Sequence, residues 1–220
     1  MGERVIVVGA GLSGLATALG SALGGRPVTV FESADLVGGA AAYSGGQVWV
    51  GANHVAVREG IDDDVERTER YVRAIAGAHP ELLDERAMQR WLHTAPLAMR
   101  RWETVGAVTW TLITGLADYH AEAEGALSSG RYLTALPVPA SALGRWRSRL
   151  RVSPYFRMGS TYGDIMAEGR RQLTSAPTNS ADGDMLTMGT GLVAGFLARA
   201  LQQESVELLV STPVRRSSTF

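Results

Sequence analysis

The hydrophobic pattern at the start of the chain predicts a buried strand, a helix and a second buried strand. Residues 4–8 form a short β-branched run, typical of a strand in a parallel sheet that is covered on both faces. Apolar residues then recur at helical spacing as far as Leu23, and Gly24 and Gly25 predict the end of that helix. The apolar run 28–31 predicts the next strand, so this segment indicates a β-α-β unit.

Helical periodicity dominates the rest of the chain. The middle predicts an amphipathic helix, two shorter helices that carry Trp91 and Trp102 on apolar faces, and one strand. Near the end, Gly189 and Gly191 open another helix, which a buried-type strand follows. In chain order, these elements are predicted at residues 62–78, 82–92, 95–104, 108–113, 189–201 and 206–210.

Glycines stand where the first predicted strand turns into the helix. Gly9, Gly11 and Gly14 form a G-x-G-x-x-G run. Its first glycine permits a tight turn, the second lets a pyrophosphate approach the backbone, and the third lets the helix pack close to the strand. Glu32 closes the second strand, where a carboxylate can accept hydrogen bonds from both ribose hydroxyls. This order of strand, turn, helix, strand and acid predicts a dinucleotide site.

The same segment carries no charged residue from Val5 to Gly25, so membrane alternatives must be weighed. A signal peptide needs a basic start, but residues 1–4 are neutral overall. A transmembrane helix of this length would be interrupted by many glycines, which are weak helix formers. Ile6 stands where a myristoylation signal needs Ser or Thr. The pattern therefore favours the nucleotide site, and no transmembrane segment is expected.

Composition excludes several other function classes. The 220 residues carry 21 basic and 22 acidic side chains, so the charge balance gives no reason to expect nucleic acid as a partner. Every basic residue is Arg, which removes the lysine that Schiff-base and P-loop chemistry needs. The chain has no Cys, which fits a reducing compartment such as the cytoplasm and excludes thiolate chemistry. The four histidines lack metal-ligand spacing, so no metal site is expected.

A cluster of arginines surrounds Trp146. Arg145, Arg147, Arg149 and Arg151 alternate along this stretch and could bind a phosphate or an RNA strand. A solvated helix face is the favoured interpretation at neutral net charge.

A second glycine-rich segment follows Glu32, and spacing alone leaves FAD and NAD open as its cofactor. The run Glu32-x5-Gly-Gly-x-x-Ala-x-Ser-Gly-Gly-x-x-Trp resembles the FAD-binding segment of the fumarate reductase/ketosteroid dehydrogenase flavoprotein family. Its Ser44-Gly45-Gly46-x-x-Trp49 ending is most similar to the 3-ketosteroid Δ1-dehydrogenase branch, as are the tract at residues 60–63 and the Asp118-Tyr119 pair. The resemblance covers essentially the whole chain and weakens between residues 140 and 181.

The resemblance implies FAD, bound without a covalent link because residues 40–44 contain no His. It places the adenosine and pyrophosphate at the first glycine motif and the flavin edge at the second. The residues implied to contact the cofactor are Gly9, Gly11, Leu12, Ser13, Gly14, Glu32, Gly38, Gly39, Ala40, Ser44, Gly45, Gly46 and Val214. Ala40 and Ala41 stand where the family has hydroxyl residues, and each lost contact is expected to weaken binding by about 1 kcal/mol.

The resemblance also implies an FAD-dependent dehydrogenase that acts on a CH–CH bond beside a ketone. A proton would leave one carbon and a hydride would pass from its neighbour to flavin N5, with a small hydrophobic ketone such as a steroid as substrate. Tyr119 matches a tyrosine that supports the proton-abstracting base in the family; a free tyrosine, with a pKa of about 10, acts as a base only where its surroundings lower that value. The alternatives are a fumarate reductase-like flavoprotein and a non-catalytic FAD-binding remnant.

Together these features predict a Rossmann-like α/β FAD-binding domain, incomplete at its C-terminus. Residues 1–50 and 185–220 are expected to form the nucleotide-binding sheet, and residues 51–184 a mostly helical insertion on the flavin and substrate side. Family members continue beyond the last predicted strand, so little or no turnover of 3-ketosteroids is expected from the 220 residues alone.

Overall fold

The chain forms two units that alternate along the sequence. The structure, a computed structural model, describes residues 3–77, 79–156, 158–171 and 184–215. The first unit comprises Met1–Gly46, Ala135–Thr161 and Thr178–Phe220, and the second comprises Gln47–Thr134 and Tyr162–Pro177. We call them the sheet unit and the helical unit.

Six helices and eight strands lie within the described residues. In chain order they are β1 (Val5–Val8), α1 (Leu12–Leu23), β2 (Val28–Phe31), β3 (Gln47–Trp49), α2 (His54–Arg58), α3 (Val65–Ala76), α4 (Glu85–Thr104), β4 (Trp110–Leu112), β5 (Tyr132–Ala135), β6 (Val138–Pro139), α5 (Tyr162–Arg171), β7 (Met185–Leu186), α6 (Met188–Leu201) and β8 (Val206–Leu209). Short 3₁₀ helices cover Ala40–Tyr43, Pro80–Leu82 and Ala140–Arg149. None of the helices in these ranges is both long and apolar enough to cross a membrane.

A parallel three-stranded sheet in the order β1-β2-β8 is the centre of the sheet unit. In its register, Val28 lies beside Val5 on one side and Val206 on the other. Helix α1 connects β1 to β2 and packs against both strands and against α6. The two ends of the chain therefore meet in one sheet, and the mixed α/β class predicted from the sequence is confirmed.

The core of the sheet unit follows the predicted apolar positions. Leu15 and Leu19 of α1 are buried over Val28 and Val30, whose side chains have no exposed area. Helix α6 is buried along most of its length, because it packs on α1 and on the 3₁₀ helix at Ala40–Tyr43. A helix covered on several sides needs an apolar surface all round, and this explains its continuous small and apolar sequence.

Residues 135–161 belong with the sheet unit, which differs from the expected division at 51–184. Strand β6 pairs antiparallel with β7, just before α6. Val37 forms a parallel bridge with Leu150, and its N–H donates to the carbonyl of Arg149 over 2.8 Å. These pairings join residues that are far apart in sequence, so periodicity could not reveal them.

The helical unit contains a three-stranded sheet in the order β3-β5-β4 and helices α2 to α5. The Asp64 carboxylate caps α3 by accepting from the Arg67 N–H over 2.6 Å. That helix is shorter at both ends than the predicted 62–78. Of its apolar residues, Tyr71 is buried and Ile75 is exposed.

The two helices predicted at 82–92 and 95–104 are one helix, α4, with Pro96 inside it. Proline has no N–H, so it cannot donate to the carbonyl of Leu92 one turn earlier. Leu92 and Met99 are both buried, however, and their packing keeps the two halves of the helix in line. The strand predicted at 108–113 is also shorter than expected, since β4 covers Trp110–Leu112.

Candidate functional site

The first glycine motif and Glu32 meet at the carboxyl edge of the parallel sheet. The Gly9 N–H donates to the carbonyl of Phe31 over 2.7 Å, which joins the ends of β1 and β2. Gly9 has a φ of +95°, a left-handed conformation that favours glycine. The next N–H, that of Ala10, donates to Glu32 Oε2 over 2.7 Å. The turn and the acid are therefore parts of one hydrogen-bonded structure.

Gly14 lets α1 start directly above β1. A Cβ at this position would overlap the carbonyl oxygen of Gly9. Gly11 is different, because its φ of −74° suits any residue and the nearest atom to an added Cβ is Gly39 Cα at 3.8 Å. Because Gly11 has no side chain, space remains between it and the second glycine segment. Because Gly14 has none, helix α1 can pack closely on strand β1.

The N-terminus of α1 offers backbone donors to an anion. No side chain caps it within the described part of the chain, and its first turn contains no acidic residue. The first N–H groups of a helix have no partner inside the helix, and they attract negative charge. Leu12 and Ser13 lie at this end, beside Gly11. A pyrophosphate is the kind of group that such a terminus binds.

Glu32 is held ionised by its surroundings. Burial by itself raises the pKa of this carboxyl, but hydrogen bonds from the N–H groups of Ala34 and Ala10 outweigh it and keep the pKa below its ordinary value. Ser33 adds two further donors, its hydroxyl at 3.2 Å and its backbone N–H. Oε1 accepts from Ala34 and the Ser33 hydroxyl, and Oε2 accepts from Ala10, so Oε2 can take a further donor such as a hydroxyl group.

The second glycine segment passes directly over the start of α1. Gly38 donates its N–H to the carbonyl of Ala10 over 2.9 Å and forms a bridge with Gly11. Gly38 and Gly39 have φ values of +129° and +56°, so both use left-handed conformations that favour glycine. The 3₁₀ helix at Ala40–Tyr43 follows, with Ala40 exposed. The structure thus brings the two glycine motifs together.

The start of α6 holds the Ser44–Gly46 stretch, a contact that sequence reasoning missed. The Ser44 hydroxyl donates to the carbonyl of Ala41 and accepts from the Gly46 N–H. The Ser44 carbonyl accepts from the N–H of Gly189 over 2.9 Å, and a Cβ on Gly46 would overlap Met188. Gly45 is half-buried beside them. Gly189 is the residue from which this contact could have been predicted, because a glycine there permits close backbone contact as well as a helix start.

Val214 lies beyond β8, on the chain that returns to Glu32. The N–H of Thr212 donates to the carbonyl of Glu32 over 2.8 Å, and Val214 follows two residues later with an exposed side chain. The segment that carries Val214 is therefore joined to Glu32 through Thr212.

Comparison with known families agrees with this geometry. The family described as FAD binding domain matches residues 4–216. The chain belongs to this FAD-binding family. FAD rather than NAD is its cofactor, as the resemblance implied.

Two relatives of this FAD-binding chain are dehydrogenases. It is 31% identical to a 4-oxocyclohexanecarboxylate 2-dehydrogenase of Sinomonas cyclohexanicum, over 90% of the chain and 34% of that protein. It is 34% identical to a 3-oxosteroid 1-dehydrogenase of Mycobacterium tuberculosis, over 64% of the chain and 24% of that protein. The chain therefore spans about a third or less of the relatives it matches.

A solved structure shows the same fold. The crystal structure of 3-ketosteroid delta1-dehydrogenase from Sterolibacterium denitrificans, in complex with 1,4-androstadiene-3,17-dione, matches with a TM-score of 0.78 at 23% identity. The match covers 95% of this chain and 40% of that one. This shared fold, together with the 34% identity to the 3-oxosteroid 1-dehydrogenase, confirms the expected resemblance to the ketosteroid dehydrogenase branch.

The described residues fit FAD. The turn at Gly9 and the uncapped start of α1 leave backbone N–H groups for a pyrophosphate. Gly11 keeps free the space that a Cβ would occupy, and Glu32 presents an ionised carboxylate for ribose hydroxyls. These residues would hold the adenosine diphosphate half of FAD.

Tyr119 belongs to the helical unit, whereas both glycine motifs belong to the sheet unit. It occupies a loop, its side chain is 85% exposed, and its ring meets that of Tyr132 edge-on at 5.9 Å. Tyr132 itself is buried, and this burial raises its pKa to about 12. The N–H of His120 donates to the Tyr71 hydroxyl over 3.2 Å. The loop backbone is thus attached while the Tyr119 hydroxyl faces solvent.

A buried ion cluster holds the base of the Tyr119 loop, and sequence reasoning missed it. Arg131 pairs with Asp118 and Asp63 at 2.8 and 2.7 Å, and all three side chains are fully buried. Asp118 also accepts from the Trp49 indole N–H over 2.6 Å and from the Leu127 N–H over 2.9 Å. Burial lowers the pKa of Arg131, but the hydrogen bonds and charge of Asp63 and Asp118 raise it above its ordinary value. Asp118 precedes Tyr119 directly, so the cluster fixes the start of the loop.

Proposed function

We propose that the chain is the FAD-binding part of a dehydrogenase that acts on a CH–CH bond beside a ring ketone. The observation that carries the proposal is the cradle of Gly9, Gly11, Gly38 and Gly39 closed by the contact between Ala10 and Glu32. The names of the two dehydrogenases supply the substrate class, since both act on an oxo compound. The substrate proposed is a small hydrophobic cyclic ketone such as a steroid. The absence of Cys supports a reducing compartment such as the cytoplasm.

Bound without a covalent link, FAD supplies the hydride acceptor, N5 of its flavin ring. The residues of this chain bind and orient it. Glu32 accepts hydrogen bonds from the ribose, while the backbone of the first motif and the start of α1, with Leu12 and Ser13, donate to the pyrophosphate. Gly38, Gly39, Ala40, Ser44, Gly45 and Gly46 line the path towards the flavin, and Val214 presents its backbone to the adenine.

Tyr119 is proposed to support the group that removes the substrate proton. Its hydroxyl can accept or donate a hydrogen bond, and its exposure leaves it free to do so. The buried ring of Tyr132 and the cluster of Arg131 and Asp118 keep its loop in place. The same loop position in the resembling branch supports this assignment.

FAD binding by the chain itself is the direct test of the cofactor site. A titration that follows the quenching of flavin fluorescence gives the dissociation constant. Glu32→Ala removes the ribose acceptor and is expected to weaken binding by about tenfold. Glu204→Ala removes an exposed glutamate of the same unit and serves as the matched control. Equal affinities for the two variants contradict the assignment of Glu32.

The reaction class is tested in a chimera. In the chimera, this chain replaces the segment that it matches in the Sinomonas dehydrogenase. The chimeric protein is then assayed with an oxo compound and an artificial electron acceptor. FAD-dependent desaturation of the ketone is expected. A folded, FAD-loaded chimera that desaturates no ketone, or that only reduces an enoate with a reduced dye, overturns the proposal.

The role of Tyr119 is tested in the same chimera. Tyr119→Phe is expected to lower kcat by about a hundredfold while KM and FAD content change little, because positioned acid–base groups contribute at this scale. Tyr155→Phe, which alters another exposed tyrosine, is the control. An unchanged kcat in Tyr119→Phe removes this residue from the mechanism.

A further inference from the structure

We propose that Arg151 is the cationic ligand of the FAD pyrophosphate. The inference rests on the FAD site of the proposed function and extends it to a residue that neither glycine motif contains. Three observations carry it: the charge of the cradle, the position of the Arg151 backbone, and the contacts of its guanidinium group.

The cradle has no basic side chain of its own. Residues 5–25 are uncharged, residues 40–42 after the second glycine pair are all alanine, and Glu32 adds a negative charge at the same edge. A pyrophosphate carries two negative charges, while a helix N-terminus offers the equivalent of only about half a positive charge. A nearby cation would therefore strengthen binding, and a guanidinium group suits phosphate oxygens best.

The backbone places Arg151 beside the second glycine pair. Val37 pairs in parallel with Leu150, and the Arg151 N–H donates to the Val37 carbonyl over 2.9 Å. In this register the next residues, Arg151 and Gly38, are neighbours. A Cβ built on Gly38 would lie only 3.3 Å from the Cβ of Arg151. The Arg151 side chain thus begins beside Gly38, whose N–H joins the second glycine segment to Ala10.

The Arg151 side chain packs against Tyr43, just after the second glycine pair, and keeps donors free. Its Nη1 donates to the Tyr43 hydroxyl over 2.8 Å, and its guanidinium carbon lies 5.5 Å from the centre of the Tyr43 ring. Within the described ranges, no carboxylate forms an ion pair with it. An arginine has five N–H donors, so most of them remain for another acceptor.

Neighbouring arginines are engaged elsewhere. Arg147 pairs with Asp184 over 2.8 Å. Arg149 donates to the carbonyl of Asp35 over 3.4 Å, on the side of the bridge away from Gly38. Arg149 is therefore a close control, because it carries the same charge as Arg151 and lies two residues earlier in the same segment.

The test is a titration of the full chain with FAD, ADP and riboflavin, followed by flavin fluorescence or, for ADP, by competition with FAD. Arg151→Gln is expected to weaken FAD and ADP by about tenfold, since each retains the pyrophosphate. Riboflavin, which has no phosphate, should bind both proteins equally. Arg149→Gln should stay within about twofold of the wild type for all three.

A charge-conserving variant and a stability measurement separate a role in binding from a role in folding. Arg151→Lys should recover part of the affinity, because it restores the charge but not the planar fork. Thermal unfolding of each variant shows that the fold is retained. Equal losses in Arg151→Gln and Arg149→Gln, or a loss that extends to riboflavin, overturn the assignment of Arg151. A wild-type chain that binds no FAD contradicts the cofactor site itself, and this result appears before any variant is compared.

Discussion

Arg131 donates to Asp118 over 2.8 Å, with side-chain exposures of 0% and 1%. Replacing it by leucine leaves Asp118 and Asp63 buried without a counter-charge. Arg131→Leu is therefore expected to lower the free energy of unfolding by about 3–5 kcal/mol, as measured by urea unfolding with tryptophan fluorescence.

Arg147 and Asp184 provide the control, because they pair over the same 2.8 Å but are 56% and 49% exposed. Arg147→Leu is expected to cost less than about 1 kcal/mol, since water screens an exposed pair. If the two variants unfold at the same urea concentration, burial is not what makes the Arg131 cluster important.

The elements that could be predicted were those with local signals. The strand predicted at 28–31 has the observed limits of β2, and Gly24 ends α1 as its sequence indicates. The hydrophobic period and the glycine positions lie within a few residues of one another, so they can be read without tertiary knowledge. Pro96 shows where local signals fail, because packing on both sides of it keeps α4 continuous.

The parts that could not be predicted depend on distant residues. Arg131 reaches Asp63 across 68 positions, and nothing near either residue in the sequence marks the pair. Arg151 likewise belongs to the sheet unit through its bond to Val37, although its local sequence indicates only a solvated basic stretch. Glycine spacing could therefore predict the first half of the cofactor site but not the segments that complete it.

Gly14 and Gly11 are expected to separate folding from binding. A Cβ on Gly14 would overlap the Gly9 carbonyl, so Gly14→Ala must shift α1 from β1 at a cost of about 1–3 kcal/mol in unfolding free energy. Gly11→Ala meets ordinary contact distances and should unfold like the wild type, yet lose about tenfold in FAD affinity because a methyl group enters the pyrophosphate space.

Urea unfolding and FAD titration of both variants measure the two effects. A Gly11→Ala variant that binds FAD normally would show that the cofactor does not approach this backbone. A Gly14→Ala variant of wild-type stability would show that the contact between α1 and β1 has more room than the structure gives it.

Tyr132 is expected to ionise late in an alkaline titration. Burial raises its pKa from 10.0 to about 12, so the folded protein holds this proton where the unfolded chain releases it. The stability that Tyr132 contributes is then present below pH 10 and is lost as the pH rises towards 12. Tyrosinate absorbance should lose its latest step in Tyr132→Phe and keep it in Tyr155→Phe, which alters an exposed ring.

Glu32 is expected to give the opposite pH dependence of stability, at acid pH. Its pKa lies below the ordinary 4.5 in the folded chain, so the unfolded chain takes up the proton first. Its contribution to stability is present above pH 4.5 and is lost as the pH falls through the lower folded value. Glu32→Gln should therefore be destabilised at pH 7 and approach the wild type in acid, as measured by urea midpoints. Ser33→Ala, which removes the hydroxyl donor but leaves the backbone N–H donors, should lie between them. Parallel curves for wild type and Glu32→Gln would show that the backbone N–H groups of Ala10 and Ala34 do not favour the ionised carboxylate.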